Sequence, residues 1–133
     1  MQAEMLELAK YRLNKAEECL ADSQDAYEKD RLANSINRSY YAMFHATRAL
    51  LALDSFDSKR YSAIIGCFNQ HYIATGKIDT TYYQMLSNAF RVRNKTDYDD
   101  FYVVSRDEAQ QQLENAISFI AMLKLKITQL GKI

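Results

Sequence analysis

Two places in the chain carry residue types whose spacing allows chemistry. At about 100° per residue, Tyr82, Leu86, Ala89 and Phe90 fall on one apolar arc, and Arg93 and Asp97 project from the same arc. An ion that continues a core-facing stripe must be paired or must line a groove, because burying it alone is costly. Arg93 and Asp97 are therefore either an i, i+4 ion pair that pins the end of a helix, or a phosphate-binding arginine held in a cleft by its aspartate. The second place is the run from Arg31 to Leu50. Leu32, Ile36, Tyr40, Met43, Thr47 and Leu50 share one face, while Arg31, Asn34, Arg38, Tyr41 and His45 share the other. That second stripe is basic with aromatics interleaved. It is either a solvated face or a surface on which Arg38, Tyr41 and His45 hold a phosphate and stack a base.

The other chemistry-bearing residues are weaker signals. Ten tyrosines include the adjacent pairs Tyr40-Tyr41 and Tyr82-Tyr83, in which one ring faces the core and its neighbour turns away. Tyrosine in that role supplies amphipathic bulk between helices and at a dimer surface. His71 has no such context and reads as a helix-end or surface residue. The sequence has no glycine-rich phosphate loop, G-x-S-x-G elbow or H-E-x-x-H motif. A zinc site would have to recruit Cys19, Cys67, His45 and His71 from four separate places, so neither metal nor cofactor is expected.

The elements that must position these residues are helices. At average usage a chain of 133 residues would carry roughly seven prolines and nine glycines. This one has no Pro and three Gly, so long uninterrupted helices are expected. The first, about 2–28, spaces Met5, Leu8, Leu13, Ala16 and Leu20 near helical period. A second runs from about 29 to 53, and the cluster Asp54, Ser55, Asp57, Ser58 separates it from a third, about 58–75. Gly76 stops the third helix, and Gly66 inside it should permit a close helix contact. Asp79 caps the fourth. Ser105 and Glu108 form an S-x-x-E capping box for the last, which Gly131 closes after about 39 Å. Short connections between long helices predict an all-α antiparallel up-and-down bundle of four to five helices, occupying residues 1–133 as one domain.

Composition agrees with that class and narrows the partners. Hydrophobic residues at 48% and charged residues at 26% fit one core. Seventeen basic side chains balance 17 acidic ones, so attraction to nucleic acid would have to come from a local patch. Cys19 and Cys67 read as reduced thiols and the compartment as cytoplasmic. No stretch approaches the ~20 apolar residues of a membrane span, and no membrane association is expected.

The residues also carry a family pattern. The run Asn37-Arg38-Ser39-Tyr40-Tyr41-Ala42-Met43-Phe44-His45-Ala46, then Phe68-Asn69-Gln70-His71-Tyr72 with Gly76-Lys77-Ile78-Asp79, and then Arg93-Asn94-Lys95-Thr96-Asp97-Tyr98, resembles the HEPN domain family. Ser105, Glu108, Ala109, Ala116 and Phe119 extend the match into the last helix, so it covers nearly the whole chain. The resemblance implies a dimeric helical bundle in which the arginine motifs of two protomers meet in a shared cleft. It also implies a metal-independent ribonuclease or RNA-binding role in toxin-antitoxin or defence systems, or service as the non-catalytic nucleotide- or substrate-binding partner of a minimal nucleotidyltransferase.

Carried over by residue, Arg93 matches the motif arginine and Asn94 the polar residue after it, with Arg91 and Asp97 beside them. Tyr98 stands where catalytic members have histidine, which leaves open whether the chain cleaves RNA or only binds it. Attack by a ribose 2′-hydroxyl gains from a group of near-neutral pKa, which histidine offers and an unperturbed tyrosine, at about 10, does not. Asp100 stands where some relatives carry a tyrosine that accepts nucleotides, with Tyr98 and Tyr102 nearby.

Overall fold

A computed structural model describes residues 2–131. Five α-helices follow one another: α1 (Gln2–Glu28), α2 (Leu32–Leu53), α3 (Tyr61–Phe68), α4 (Thr80–Tyr98) and α5 (Arg106–Gln129). No strand occurs among the described residues. The pairings fix how the helices run. Ser23 meets Ser35 and Ser39, whereas Arg12 meets Asp57 beyond the far end of α2, so α1 and α2 are antiparallel. Asn37 meets Asp97 and Tyr40 meets Phe90, so α4 runs against α2. Tyr27 reaches Gln110 and Glu17 reaches Lys124, which sets α5 against α1. The four long helices thus form the expected up-and-down bundle, with α2 packed against the other three and the short α3 at one end.

α1 lies against α2 through small side chains and one arginine. Ala9, Arg12, Ala16, Cys19, Ser23 and Ala26 are its buried line, and Met5, Leu8, Leu13 and Leu20 flank that line half-buried. Small residues at this spacing let two backbones approach closely, and the approach is stitched by hydroxyls: Ser23 Oγ donates to the Ser35 carbonyl at 2.7 Å and Ser35 Oγ to the Ser23 carbonyl at 3.0 Å. The larger side chains fill the opposite side of α2. Phe68, Phe119, Met43, Leu50, Leu86 and Leu123 are fully buried there, each worth about 1.5–3 kcal/mol relative to exposure.

The helices follow local rules with four departures. Asp79 accepts from the Thr81 backbone N–H at 2.8 Å and Ser105 from that of Glu108 at 3.1 Å, as the caps predict. Gly76 and Gly131 take φ of 76° and 69°, the left-handed conformation that ends a helix. The Glu108 carboxylate, however, turns to the Tyr102 hydroxyl, so only half of the capping box forms. The third helix is not one element over 58–75: α3 ends at Phe68 and continues as a π-helical turn, Asn69–Ile73, closed by Ala74 N–H to the Asn69 carbonyl at 2.8 Å. Gly66 makes no close helix contact, because a Cβ there would meet nothing within 4 Å. α2 begins at Leu32, after Asp30 takes a left-handed φ of 61° and points its carboxylate at Arg106, 2.9 Å away.

Candidate nucleic-acid interface

The antiparallel crossing of α2 and α4 places Arg93 against the tyrosine pair. Its guanidinium carbon lies 4.8 Å from the Tyr40 ring centre, 5.5 Å from Tyr41 and 5.8 Å from Phe90, within cation–π range of all three. Only 13% of the side chain is exposed. One nitrogen meets Asp97 at 3.4 Å, a single long contact and not a two-pronged pair. Asn37 reaches the same carboxylate at 3.5 Å. The ion-pair reading of the stripe is met, since Arg93 is paired with Asp97, and the same guanidinium is also packed against three rings. Burial opposes its charge, but Tyr41, Asp97 and Tyr40 outweigh burial and raise its pKa further. Burial pushes the Tyr40 hydroxyl up to about 12 although Arg93 works against it, so that phenol stays protonated.

Tyr41 is the hub that joins the two sequence patterns. Arg38 lies over its ring at 5.2 Å, anchored by two hydrogen bonds to Asn37 Oδ1 at 3.1 and 2.7 Å. His45 stacks on Tyr41 with ring centres 5.9 Å apart and planes 28° off parallel. Arg93, Arg38 and His45 thus share one ring, and His45 belongs to the same face as Arg93. Burial, followed by Lys15, Arg48, Arg12 and Arg38, pushes the His45 pKa down to about 4. Its imidazole is neutral at pH 7: it can accept a proton, and its remaining N–H is too weak an acid to give one up.

Asn94, Tyr98 and Arg91 occupy a different face of α4. With Phe90, Lys95 and Asp99 they line a surface groove of about 470 Å³, mostly apolar in its floor. Phe90 borders both this groove and the Arg93 site. Tyr98 is 77% exposed, and Phe101 and Val103, just beyond the helix, are more exposed still. Arg91 is tied to Asn88.

Sequence periodicity within single helices missed four further polar residues. Asn37 positions both Arg38 and Asp97. Arg12 in α1 and Arg48 in α2 converge on Asp57 of the loop between α2 and α3, at 2.8 and 3.0 Å. Arg12 does fall on the period of the α1 seam, between Ala9 and Ala16, which is a readable signal. Among the described residues no three His, Cys, Asp or Glu side chains group as metal ligands. Cys19 and Cys67 are both unpaired, and burial raises each thiol's pKa. No described helix is long and apolar enough to cross a membrane.

Comparison with known proteins follows the same residues. A family model described as the HEPN domain matches residues 9–126. The chain is 32% identical to a UPF0332 protein of Archaeoglobus fulgidus, over 85% of this chain and 90% of that one. It is 25% identical to a UPF0332 protein of Thermotoga maritima, over 94% and 95% of the two chains. It is 27% identical to a Methanocaldococcus jannaschii protein named "Putative toxin", over 84% of this chain and 76% of that one.

Proposed function

The chain belongs to the HEPN domain family, and from that premise we propose that it is a toxin-type or defence-associated HEPN protein that binds RNA phosphate through Arg93. The observation that carries this reading is the state of Arg93. Its charge rests on three aromatic faces, the Tyr40 hydroxyl and one carboxylate contact, and its Nε has no hydrogen-bond partner among the described residues, so its planar fork keeps a donor for a phosphate. Arg38, Tyr41 and His45 extend the same face. The groove of Arg91, Asn94 and Tyr98, with exposed Phe101 and Val103 following in the chain just beyond α4, is the surface on which a second copy docks to complete the cleft. A homodimer in light scattering, turned to monomer by Phe101→Asp, is the expected result.

Cleavage requires more than a phosphate anchor. A 2′-hydroxyl attack needs one group to take a proton and another to return it to the leaving oxygen. His45 fits the first role weakly and the second not at all, since it is neutral down to about pH 4. Tyr98 makes no contact with Arg93. The arrangement favours binding over turnover.

The test is incubation of labelled single-stranded RNA and a tRNA mixture in EDTA, with gel-shift and cleavage read together for wild type, Arg93→Ala and Tyr98→His. A shift lost in Arg93→Ala supports the binding reading, and cleavage lost in the same variant makes the protein a metal-independent ribonuclease. Neither shift nor cleavage by wild type overturns the RNA reading.

The exposed Tyr98 in place of histidine specifically favours a second reading, a non-catalytic nucleotide- or substrate-presenting partner of a minimal nucleotidyltransferase. Co-purification with the neighbouring gene product, and nucleotide binding only in that complex, would select it. An intact-mass increase after ATP would identify Tyr98 or Tyr102 as an acceptor, and an unchanged mass would end that idea.

A further inference from the structure

Arg12 and Arg48 come from two different helices and close on one carboxylate. Arg12 meets Asp57 with both terminal nitrogens, at 2.8 and 3.1 Å, and Arg48 meets it at 3.0 Å. The side chains differ in how firmly they are held. Arg12 and Arg48 are 10% and 13% exposed, whereas Asp57 is 47% exposed on the connection between Leu53 and Tyr61. The cations are built into the bundle and the anion is lent by a loop.

Charge makes the assignment more pointed. Two guanidinium groups face one carboxylate, and Lys15 and Arg38 add to the positive field at neighbouring His45. His45 Nδ1 is buried there with no hydrogen-bond partner among the described residues. Nearly buried arginines sharing one carboxylate are a poor way to gain stability, because desolvation consumes most of the attraction. A terminal phosphate, carrying up to about two charges and three acceptor oxygens, would satisfy the pair more completely, and a backbone phosphodiester, a monoanion like Asp57, would replace the carboxylate like for like. The fork also has a fixed place. Arg38, Tyr41, His45 and Arg48 follow one another at three- and four-residue steps along α2, and Arg48 lies over Phe44 at 5.8 Å. The stripe that begins beside Arg93 therefore ends at this fork, about 15 Å along the helix from Arg38.

We propose that Arg12 and Arg48 form a second phosphate-binding site, at the far end of the α2 stripe, which the Asp57 carboxylate occupies as a displaceable internal anion. The proposal rests on the reading of the α2 face as an RNA surface and gives that surface a direction and a gate. The phosphate can come from the backbone of a bound single strand or from the end of a nucleotide.

Asp57→Asn tests it, because a structural triad and a gated site predict opposite signs. Binding of a 5′-hydroxyl oligoribonucleotide, which offers backbone phosphate alone, and of ATP would be measured by fluorescence anisotropy and calorimetry. The expected result is at least a five-fold gain in affinity for one of the two in Asp57→Asn. For the oligonucleotide, the salt dependence would steepen by roughly 0.7, one phosphate on a single strand. Arg48→Gln, which keeps the Arg12–Asp57 contact and so the fold, should weaken the same ligand. A gain with RNA assigns backbone phosphate and a gain with ATP alone assigns a terminal phosphate. Unchanged or weaker affinity for both ligands in a folded Asp57→Asn, or no effect of Arg48→Gln, overturns the proposal. If Arg93→Ala abolishes RNA binding while Asp57→Asn leaves it unchanged, this site fails and the Arg93 reading stands. If ATP binding tightens and RNA does not bind, the reverse holds.

Discussion

Arg93 of α4 and the fork of Arg12 and Arg48 lie beside two separate places along one stripe on α2, and they satisfy buried positive charge by different means. At Arg93 the aromatic faces of Tyr40, Tyr41 and Phe90 carry most of the work, with one carboxylate contact at 3.4 Å. At the fork a single carboxylate makes close contacts with two guanidinium groups. A ring stabilises a cation through its quadrupole without using up hydrogen-bond donors, and a carboxylate uses them. Under the proposed reading, the first end of the stripe takes a phosphate as it stands, and the second only when Asp57 leaves.

The largest test of that contrast is Arg93→Lys. Lysine keeps the charge but not the planar fork or its stacking area, so RNA affinity should fall at least ten-fold in a gel shift while the fold survives. Urea unfolding should report a loss of about 1–2 kcal/mol, the combined worth of a partly desolvated cation–π contact and an exposed ion pair. A loss large enough to unfold the chain would make Arg93 a structural residue and collapse the distinction between the two ends.

The fork should answer in the other currency. Arg12→Ala removes a seam residue and leaves Asp57 with one partner, so stability should fall by about 2 kcal/mol in urea. RNA affinity should change less than in Arg93→Lys. An equal loss of affinity in the two variants would mean that the fork is already open in the free protein.

This asymmetry also explains what could be read before the structure. Arg93 and Asp97 were legible because they interrupt the periodicity of one helix, and the absence of proline made the helical bundle legible for the same local reason. Asp79 and Ser105 act through their own backbone neighbours, and they cap as their spacing suggested. The fork was not legible: pairing Arg12 with Asp57, 45 residues away, depends on the register between α1 and α2. Nor does periodicity reveal that the α1 seam is made of small residues with leucines at its flanks, because an alanine line buries only when another helix comes close. The π turn at Asn69–Ile73 departs from helical hydrogen bonding by a single residue, and its sequence carries no breaker to announce that.

His45, between the two ends, sharpens the comparison through pH. Its folded pKa of about 4 lies below the unfolded value near 6.5, so in that window the unfolded chain binds a proton that the native chain refuses. Stability should therefore be full above about pH 6.5 and fall as pH drops toward 4. His45→Gln should flatten that slope in melting temperature against pH, and the difference between the two curves removes the contribution of the carboxylates. An unchanged slope would mean that neither burial nor the four surrounding cations depress the pKa of this ring.

The smallest expected effect is also the one that separates the two anions most cleanly. Asp97 and Asp57 are both carboxylates placed beside a nearly buried arginine, but Asp97 makes one long contact to a cation already held by rings. Asp97→Asn should shift unfolding free energy by less than about 0.5 kcal/mol, as for an exposed i, i+4 pair. It removes a negative charge next to the proposed phosphate position, so RNA affinity should rise by about two-fold, a gain that shrinks as salt is added. Asp57→Asn should exceed that gain, because it frees two close-held donors where Asp97→Asn frees one loose contact. If Asp97→Asn proved the stronger of the two, the carboxylate and not the aromatic rings would be what holds Arg93, and the two ends of the stripe would obey the same rule.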